Sequence, residues 1–266
     1  LKQFLRRRRI QEVDMASLDS IVKFLDRELD IASFEDSSHN GLQVANSGKA
    51  ARICTGVDAS LAFFEEAARR KADMVICHHG MSWDSSLKRI TGRNYSRLKF
   101  LVDHDIALYA CHLPLDAHPR LGNNAQIFKA LGLTGRKPFG LYNGGFIGFS
   151  GSLPRAMPYT AFKKFVHSLM GNTVGTMDFG KRLVRTVAIV SGGAAEEIEE
   201  AAEKGIDVFV SGEPKLSAYH LAQEYGMHAI FSGHYATEVF GVKALARLLA
   251  RRFKVKAQFI DLGIKF

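Results

Sequence analysis

The sequence has only three cysteines, Cys54, Cys77 and Cys111, in 266 residues, and none is in a CxxC spacing. An odd number of thiols, each set in an apolar run, excludes a disulfide framework and reads as a reduced, intracellular, cytoplasmic protein. No apolar run approaches the roughly eighteen residues of a membrane span, so no membrane partner is expected. The chain also lacks GxxxxGK followed by Ser or Thr, the loop that cradles nucleotide phosphates, and GxSxG, the turn that exposes a nucleophilic serine. P-loop and serine-hydrolase chemistry are set aside on that ground. There is no internal repeat and no long linker, so neither a solenoid nor separately tethered domains are expected.

What is present is ordinary globular composition, 47% hydrophobic and 24% charged, with length for one large or two modest domains. A net charge of +9 invites a nucleic-acid reading, but residues 1–14 carry five positive charges, Lys2 and Arg6 to Arg9, against Glu12 and Asp14. That leaves +6 for the rest of the chain. The arm reads as an extension upstream of a fold that starts near Met15, with an Arg-rich targeting arm as the lesser reading.

Leu18 to Leu29 predicts a helix capped by Ser17. From residue 51 onward, β-branched runs alternate with helical periodicity, the pattern of repeated βα units. Arg52 to Asp58, Met74 to Cys77 and Ile106 to Cys111 predict strands, with helices over LAFFEEAARRKA, YSRLKFLVDH and NNAQIFKALG. Asn143-Gly144, inside the Gly-rich passage 140–151, signals a hairpin and the start of a second lobe. Strands at Thr186 to Val190, Val208 to Val210, His228 to Phe231 and Val255 to Ile260 then alternate with four helices. The expected architecture is α/β with two lobes of about five strands each. Residues 15–132 plus 229–266 form the first lobe and 133–228 the second.

Three segments place metal-competent side chains at the ends of predicted strands, where α/β sheets build their sites. In Cys77-His78-His79-Gly80 both imidazoles address one site if the strand ends at Gly80. In the second segment, His112-Leu113-Pro114-Leu115-Asp116, Pro114 is expected to hold the chain extended, so that His112 and Asp116 share a side. In Gly233-His234-Tyr235-Ala236-Thr237-Glu238, a helix starting near His234 puts His234 and Glu238 on one face. A lone His or Asp in a loop is more often a satisfied polar group than a ligand; it is the joint occurrence at three strand ends that favours a metal. The mixed N/O set suits Zn, Fe, Mn, Co or Ni better than Ca or Mg. Six candidates exceed the needs of one tetrahedral ion. Two ions about 3.5 to 4 Å apart, bridged by a carboxylate, use the set better, and Glu238 is the natural bridge. Cys77 and Cys111 read as core thiols. Ser191-Gly192-Gly193 offers backbone N–H groups to an anion, but a plain βα turn is the simpler reading.

The motifs CHHG with a downstream Trp, HLPLDAH and GHYATE, together with NGLQV near the start, resemble the Ngg-one-interacting factor three-like family, the GTP cyclohydrolase I type 2 homologues. The likeness runs from about residue 17 to 266. It implies a dinuclear metal centre in the cleft between two α/β lobes and a toroidal homohexamer, a trimer of dimers. It also implies His78, His79, Asp116, His234 and Glu238 as ligands. His112 is expected beside the metals as a catalytic proton-transfer group rather than a ligand. Gly80 stands where the family commonly has Pro, and Cys111 and Pro114 where it usually has Thr and Asn, which bears on loop shape rather than on ligands. The span from Gly132 to Thr186 leaves no room for the domain that some members insert.

The expected function is metal-dependent hydrolysis of a nucleotide or phosphoester by a bound hydroxide, its parent water acidified toward about pH 7. The rival is a ring-shaped interaction or nucleic-acid-binding protein with structural metals. Arg247, Arg251, Arg252, Lys254 and Lys256 at the end of the last helix favour that rival, although the same residues suit a solvated helix C-terminus.

Overall fold

The computed structural model describes residues 16–266; the expectation for the 1–14 arm lies outside them. The first helix, α1 (Leu18–Leu29), is capped as expected, with Ser17 Oγ accepting from the Ser20 N–H, and buries Leu18, Ile21, Leu25 and Leu29. A short strand, β1 (Gly41–Val44), leads to β2 (Arg52–Asp58), α2 (Leu61–Arg69) and β3 (Met74–His79). Then come α3 (Gly92–Asp103), β4 (Ala107–Ala110), α4 (Leu113–Ala117) and α5 (Asn123–Ala130). A long hairpin, β5 (Thr134–Tyr142) and β6 (Gly145–Pro158), turns at Asn143-Gly144, where both residues take the positive φ that this dipeptide tolerates. Next are α6 (Tyr159–Met170), β7 (Gly175–Asp178), β8 (Leu183–Ile189), α7 (Ile198–Glu203), β9 (Val208–Ser211), α8 (Leu216–Tyr225) and β10 (His228–Phe231). The chain ends with α9 (His234–Phe253) and β11 (Lys256–Phe259).

Two sheets organise these elements, as the mixed α/β expectation has it. The first runs β1-β4-β3-β2-β11, parallel except for β1 against β4. The second runs β5-β6-β8-β9-β10-β7, with a parallel centre of β8, β9 and β10. Helices cover both faces of each. On the first sheet α1 and α9 bury Ile21, Leu25, Leu245 and Leu249 on one side, while α2 and α3 bury Phe63, Phe64 and Leu101 on the other. Phe240 of α9 packs on the cores of both sheets, so α9 ties them together. Among the described residues no helix is long and apolar enough to cross a membrane.

The structure departs from the sequence reading in three places. β10 pairs within the second sheet, so the chain returns to the first after Phe231 rather than at residue 229. β1 and β7, four residues each, lie outside the expected strands; strands this short at sheet margins leave too few positions for alternation to register. Residues 113–117 are helical, not extended. Pro114 sits in the first turn of α4, where a missing N–H costs no helical hydrogen bond.

Candidate metal centre

The C-terminal end of the first sheet meets the βα turns of the second, and the predicted residues converge there. The register pairs Asp58 with His79, so β2 and β3 deliver them side by side. His78 and His79 close β3, His112 follows β4 and caps α4, and Asp116 lies one turn into α4. Glu238 is on the first turns of α9, facing His78, His79 and His234. Its Oε1 lies 3.5 Å from His78 Nε2 and 3.0 Å from His234 Nε2, and its Oε2 lies 3.2 Å from His79 Nε2. Asp116 Oδ2 is 3.4 Å from His78 Nε2. The ligand-capable atoms of His78, His79 and His112 lie within 4.8 Å of one another, as do those of His79, His234 and Glu238.

Each of these four imidazoles is held by its Nδ1. His78 Nδ1 bonds the Cys111 carbonyl at 3.0 Å, His79 Nδ1 the Asp58 carboxylate at 2.8 Å, His112 Nδ1 that of Asp36 at 2.9 Å, and His234 Nδ1 that of Glu213 at 2.6 Å. An N–H donated from Nδ1 leaves a lone pair on Nε2, and this is how metal-binding histidines are oriented. The inward Nε2 lone pairs therefore face carboxylate lone pairs. Acceptor against acceptor is stable only with a cation between, whether proton or metal. Accordingly His78 Nε2 and Glu238 Oε2 are buried without a hydrogen-bond partner among the described residues. Asp116 is arranged the same way: its Oδ1 accepts from Asn123 Nδ2 at 2.8 Å and Ser191 Oγ at 2.9 Å, leaving Oδ2 for the cluster.

Electrostatics carries the same signature. Burial opposes ionisation of Glu238, Asp116 and His78, yet their mutual attraction wins. The two carboxyl groups titrate below their ordinary range, Glu238 far below, and His78 well above its own. His234 rises to about 9, because Glu238 and Glu213 outweigh its burial. Asp36 falls to about 2; burial is again opposed, here by the hydrogen bond and charge of His112. Two buried carboxylates whose only ion-pair partners among the described residues are histidines form a donor set that a divalent N/O-binding ion fits.

The loops show why small residues stand here. A Cβ on Gly80 would collide with the Gln43 amide, whose Oε1 accepts from the N–H groups of Met81 and Ser82 and so pins the turn after the double histidine. Asn40 Oδ1 likewise holds the His112 N–H. Thus NGLQV braces the two histidine motifs. Trp83, whose indole donates to the Gly80 carbonyl, packs 4.9 Å from the His112 ring. Ser191-Gly192-Gly193 is not an open anion nest: Ser191 N–H is taken by Asn124 and Gly192 N–H by Thr237 Oγ1. The turn is shaped around the site instead. Gly192 has φ +71, and a Cβ there would sit 2.5 Å from Glu238 Oε1, whereas one on Gly193 meets nothing nearer than 3.5 Å. Gly192→Ala is expected to weaken metal binding by about tenfold while Gly193→Ala changes it little, as read by competition against a chromophoric chelator.

Other histidines stay out of the cluster. His118 has both ring nitrogens engaged, by the Glu28 carbonyl and by the N–H groups of Arg120 and Leu121. His39 bonds Ser82 Oγ. His228 stacks on Tyr159 with ring centroids 3.5 Å apart. Cys77 and Cys111 are fully buried and their thiols are pushed well up by burial, which makes them inert core residues as expected. Sequence reasoning missed Asp36, Asp58 and Glu213. Asp58 ends β2 and Glu213 follows β9, so a rule that counts every acidic residue at a parallel strand end would have found these two; Asp36 carries no such mark. A cleft of about 270 Å³ opens beside His79 and His234, walled by Val57, Tyr235, Ile264 and Phe266.

A two-sheet α/β fold with one buried and three half-buried histidines around two buried carboxylates between the sheets defines the class. The family model for Duf34/NIF3 (NGG1p interacting factor 3) matches residues 16–263, and the chain belongs to that family. It is 41% identical over 243 residues to a protein of Deinococcus radiodurans named GTP cyclohydrolase 1 type 2 homolog, covering 91% of this chain and 92% of that one. A relative of the same name from Archaeoglobus fulgidus is 40% identical over 246 residues, covering 92% and 98%. Among solved structures, one from Thermus thermophilus superposes with a TM-score of 0.86 at 36% identity, covering 94% of this chain and all of that one. The protein ybgI gives 0.88 at 35% over the same shares.

Proposed function

We propose that the chain is a metal-dependent hydrolase with two divalent transition-metal ions, Zn, Fe, Mn, Co or Ni, sharing Glu238. The observation that carries this is the set of inward Nε2 lone pairs facing buried carboxylate oxygens. His78 and Asp116 would hold one ion, His79 and His234 the other. When bound, the ions supply Lewis acidity toward water and toward the substrate's electrophilic atom. His112 is the proton carrier. Its Nδ1 is tied to Asp36, which fixes the ring and leaves Nε2 to take a proton or return it. Trp83 packs over that ring and limits the water around it. Asp58 and Glu213 keep His79 and His234 in the matching tautomer.

The substrate class is a nucleotide or phosphoester, and the relatives' name makes GTP the first to try. Self-association as a trimer of dimers belongs to the same reading, with Leu141, Tyr142 and Phe146 at the β5–β6 tip as apolar surface for it. The test is elemental analysis of purified protein followed by a panel of nucleotides and phosphoesters. We expect about two first-row ions per chain and metal-dependent turnover that His78→Ala lowers by at least ~1000-fold. Metal-loaded protein that is silent across the panel yet binds DNA near physiological salt would replace this reading with the non-catalytic one.

A further inference from the structure

The connection from β3 to α3 leaves the sheet at the edge where His79 and Asp58 lie, and its composition is one-sided. Lys88, Arg89, Arg93, Arg97 and Lys99 occur between Asp84 and Asp103 with no acidic residue among them. Lys99 pairs with Asp103. Among the described residues Lys88, Arg89, Arg93 and Arg97 make no ion pair, and Arg97 Nε is buried without a hydrogen-bond partner. A buried guanidinium N–H left unsatisfied is costly and marks a place where an acceptor belongs.

The placement of Arg97 follows from its helix. Leu98 and Leu101 of α3 pack into the cluster that contains Cys77 and Met81, and Arg97 lies one turn before Leu101, toward the strand ends. Asn94 Nδ2 donates to the Ser86 carbonyl, tying the basic loop back onto the first turn of α3. Arg93 precedes Arg97 by one turn, so the two guanidinium groups share a face and repel. Burial and Arg93 both depress the Arg97 pKa, while the charges of Asp58 and Cys77 act against them. Asp58 gives Oδ1 to His79 and does not close an ion pair with Arg97. Two guanidinium groups one turn apart, one of them with a buried and unsatisfied Nε–H, fit a phosphate, whose oxygens accept paired N–H bonds.

We propose that Arg93 and Arg97, with Lys88 and Arg89 at the rim, form the site that takes the phosphate group of the substrate beside the metal centre. This rests on the hydrolase reading for its biological purpose, not for the binding itself. The chemistry is that of a phosphate monoester or the terminal phosphate of a nucleotide.

The experiment is calorimetric titration of metal-loaded, full-length protein with inorganic phosphate, comparing wild type with R93Q, R97Q and R93Q/R97Q, with metal content measured on each sample. Lys163→Gln, which removes a pair with Asp178 in the other sheet, is the control. The expected result is unchanged metal content, at least ~10-fold weaker phosphate binding in the double variant, and wild-type binding in the control. Equal affinity in wild type and double variant would overturn the site. So would loss of metal in proportion to loss of phosphate, which would make Arg97 a support of the Asp58–His79 pair. A silent hydrolase panel with Arg-dependent phosphate binding removes the reaction and keeps the site. Turnover with an unchanged KM in the double variant does the reverse.

Discussion

Glu238→Ala is expected to abolish binding of both metal ions, not one. Its two oxygens address different histidines: Oε1 faces His78 and His234, Oε2 faces His79. Truncation therefore removes the carboxylate that faces both sides of the cluster, and affinity should fall by at least ~100-fold at both. Asp116 alone then remains on the His78 side and no buried carboxylate on the other. The metal-free fold should not suffer equally. Glu238 is 2% exposed and pairs with imidazoles only, so removing it also removes a buried charge that needs a cation. The variant should melt near metal-free wild type while failing to gain stability when metal is added. Glu238→Gln, which keeps the volume against Gly192, separates charge from shape and should lose metal as well. Elemental analysis decides the matter: an Ala variant that retains two ions, or loses one and keeps the other at full occupancy, would show that Glu238 is not shared.

How much of this was legible in the sequence depends on whether a residue's role is local. His234 and Glu238 were readable because one helical turn sets both, and α9 begins at His234 as expected. His78 and His79 were readable from a strand that stops at Gly80. Asp116 is beside His78 as expected, but for a different reason: Pro114 starts a helical turn instead of extending the chain, and α4 carries Asp116 inward. Local sequence permits both conformations at a Pro in this position, and packing of Leu115 into the core selects one. The carboxylates behind the histidines were out of reach because each arrives from another element. Asp36 meets His112 across 76 residues and Asp58 meets His79 across 21. Gly192 reads in sequence as part of an ordinary βα turn, which it is. Its further role, making room for Glu238, depends on a side chain 46 positions away.

Metal affinity should rise steeply with pH, because protons and metal ions compete for the same lone pairs. In the metal-free fold His78 titrates well above its ordinary range and His234 at about 9, while Glu238, Asp116 and Asp36 are already ionised at neutral pH. The protons to be displaced are thus on the imidazoles. Each one displaced gives about tenfold per pH unit, so the overall constant for loading both ions should climb by up to ~100-fold per unit while both imidazoles are protonated, and the share of His234 ends above about pH 9. Stability of the metal-free protein must run the opposite way. A histidine whose folded pKa is raised contributes stability that is full below its unfolded value of about 6.5 and is lost as pH rises through the folded value. Metal-free protein should therefore lose melting temperature between about pH 6.5 and 9, the window in which metal-loaded protein gains its advantage. Chelator competition at pH 6, 7 and 8, paired with melting curves of both forms, reads the two slopes together. A flat affinity, or a metal-free form that gains stability across that range, would mean that protons do not occupy the cluster and that its lone pairs are not the ones a metal would take.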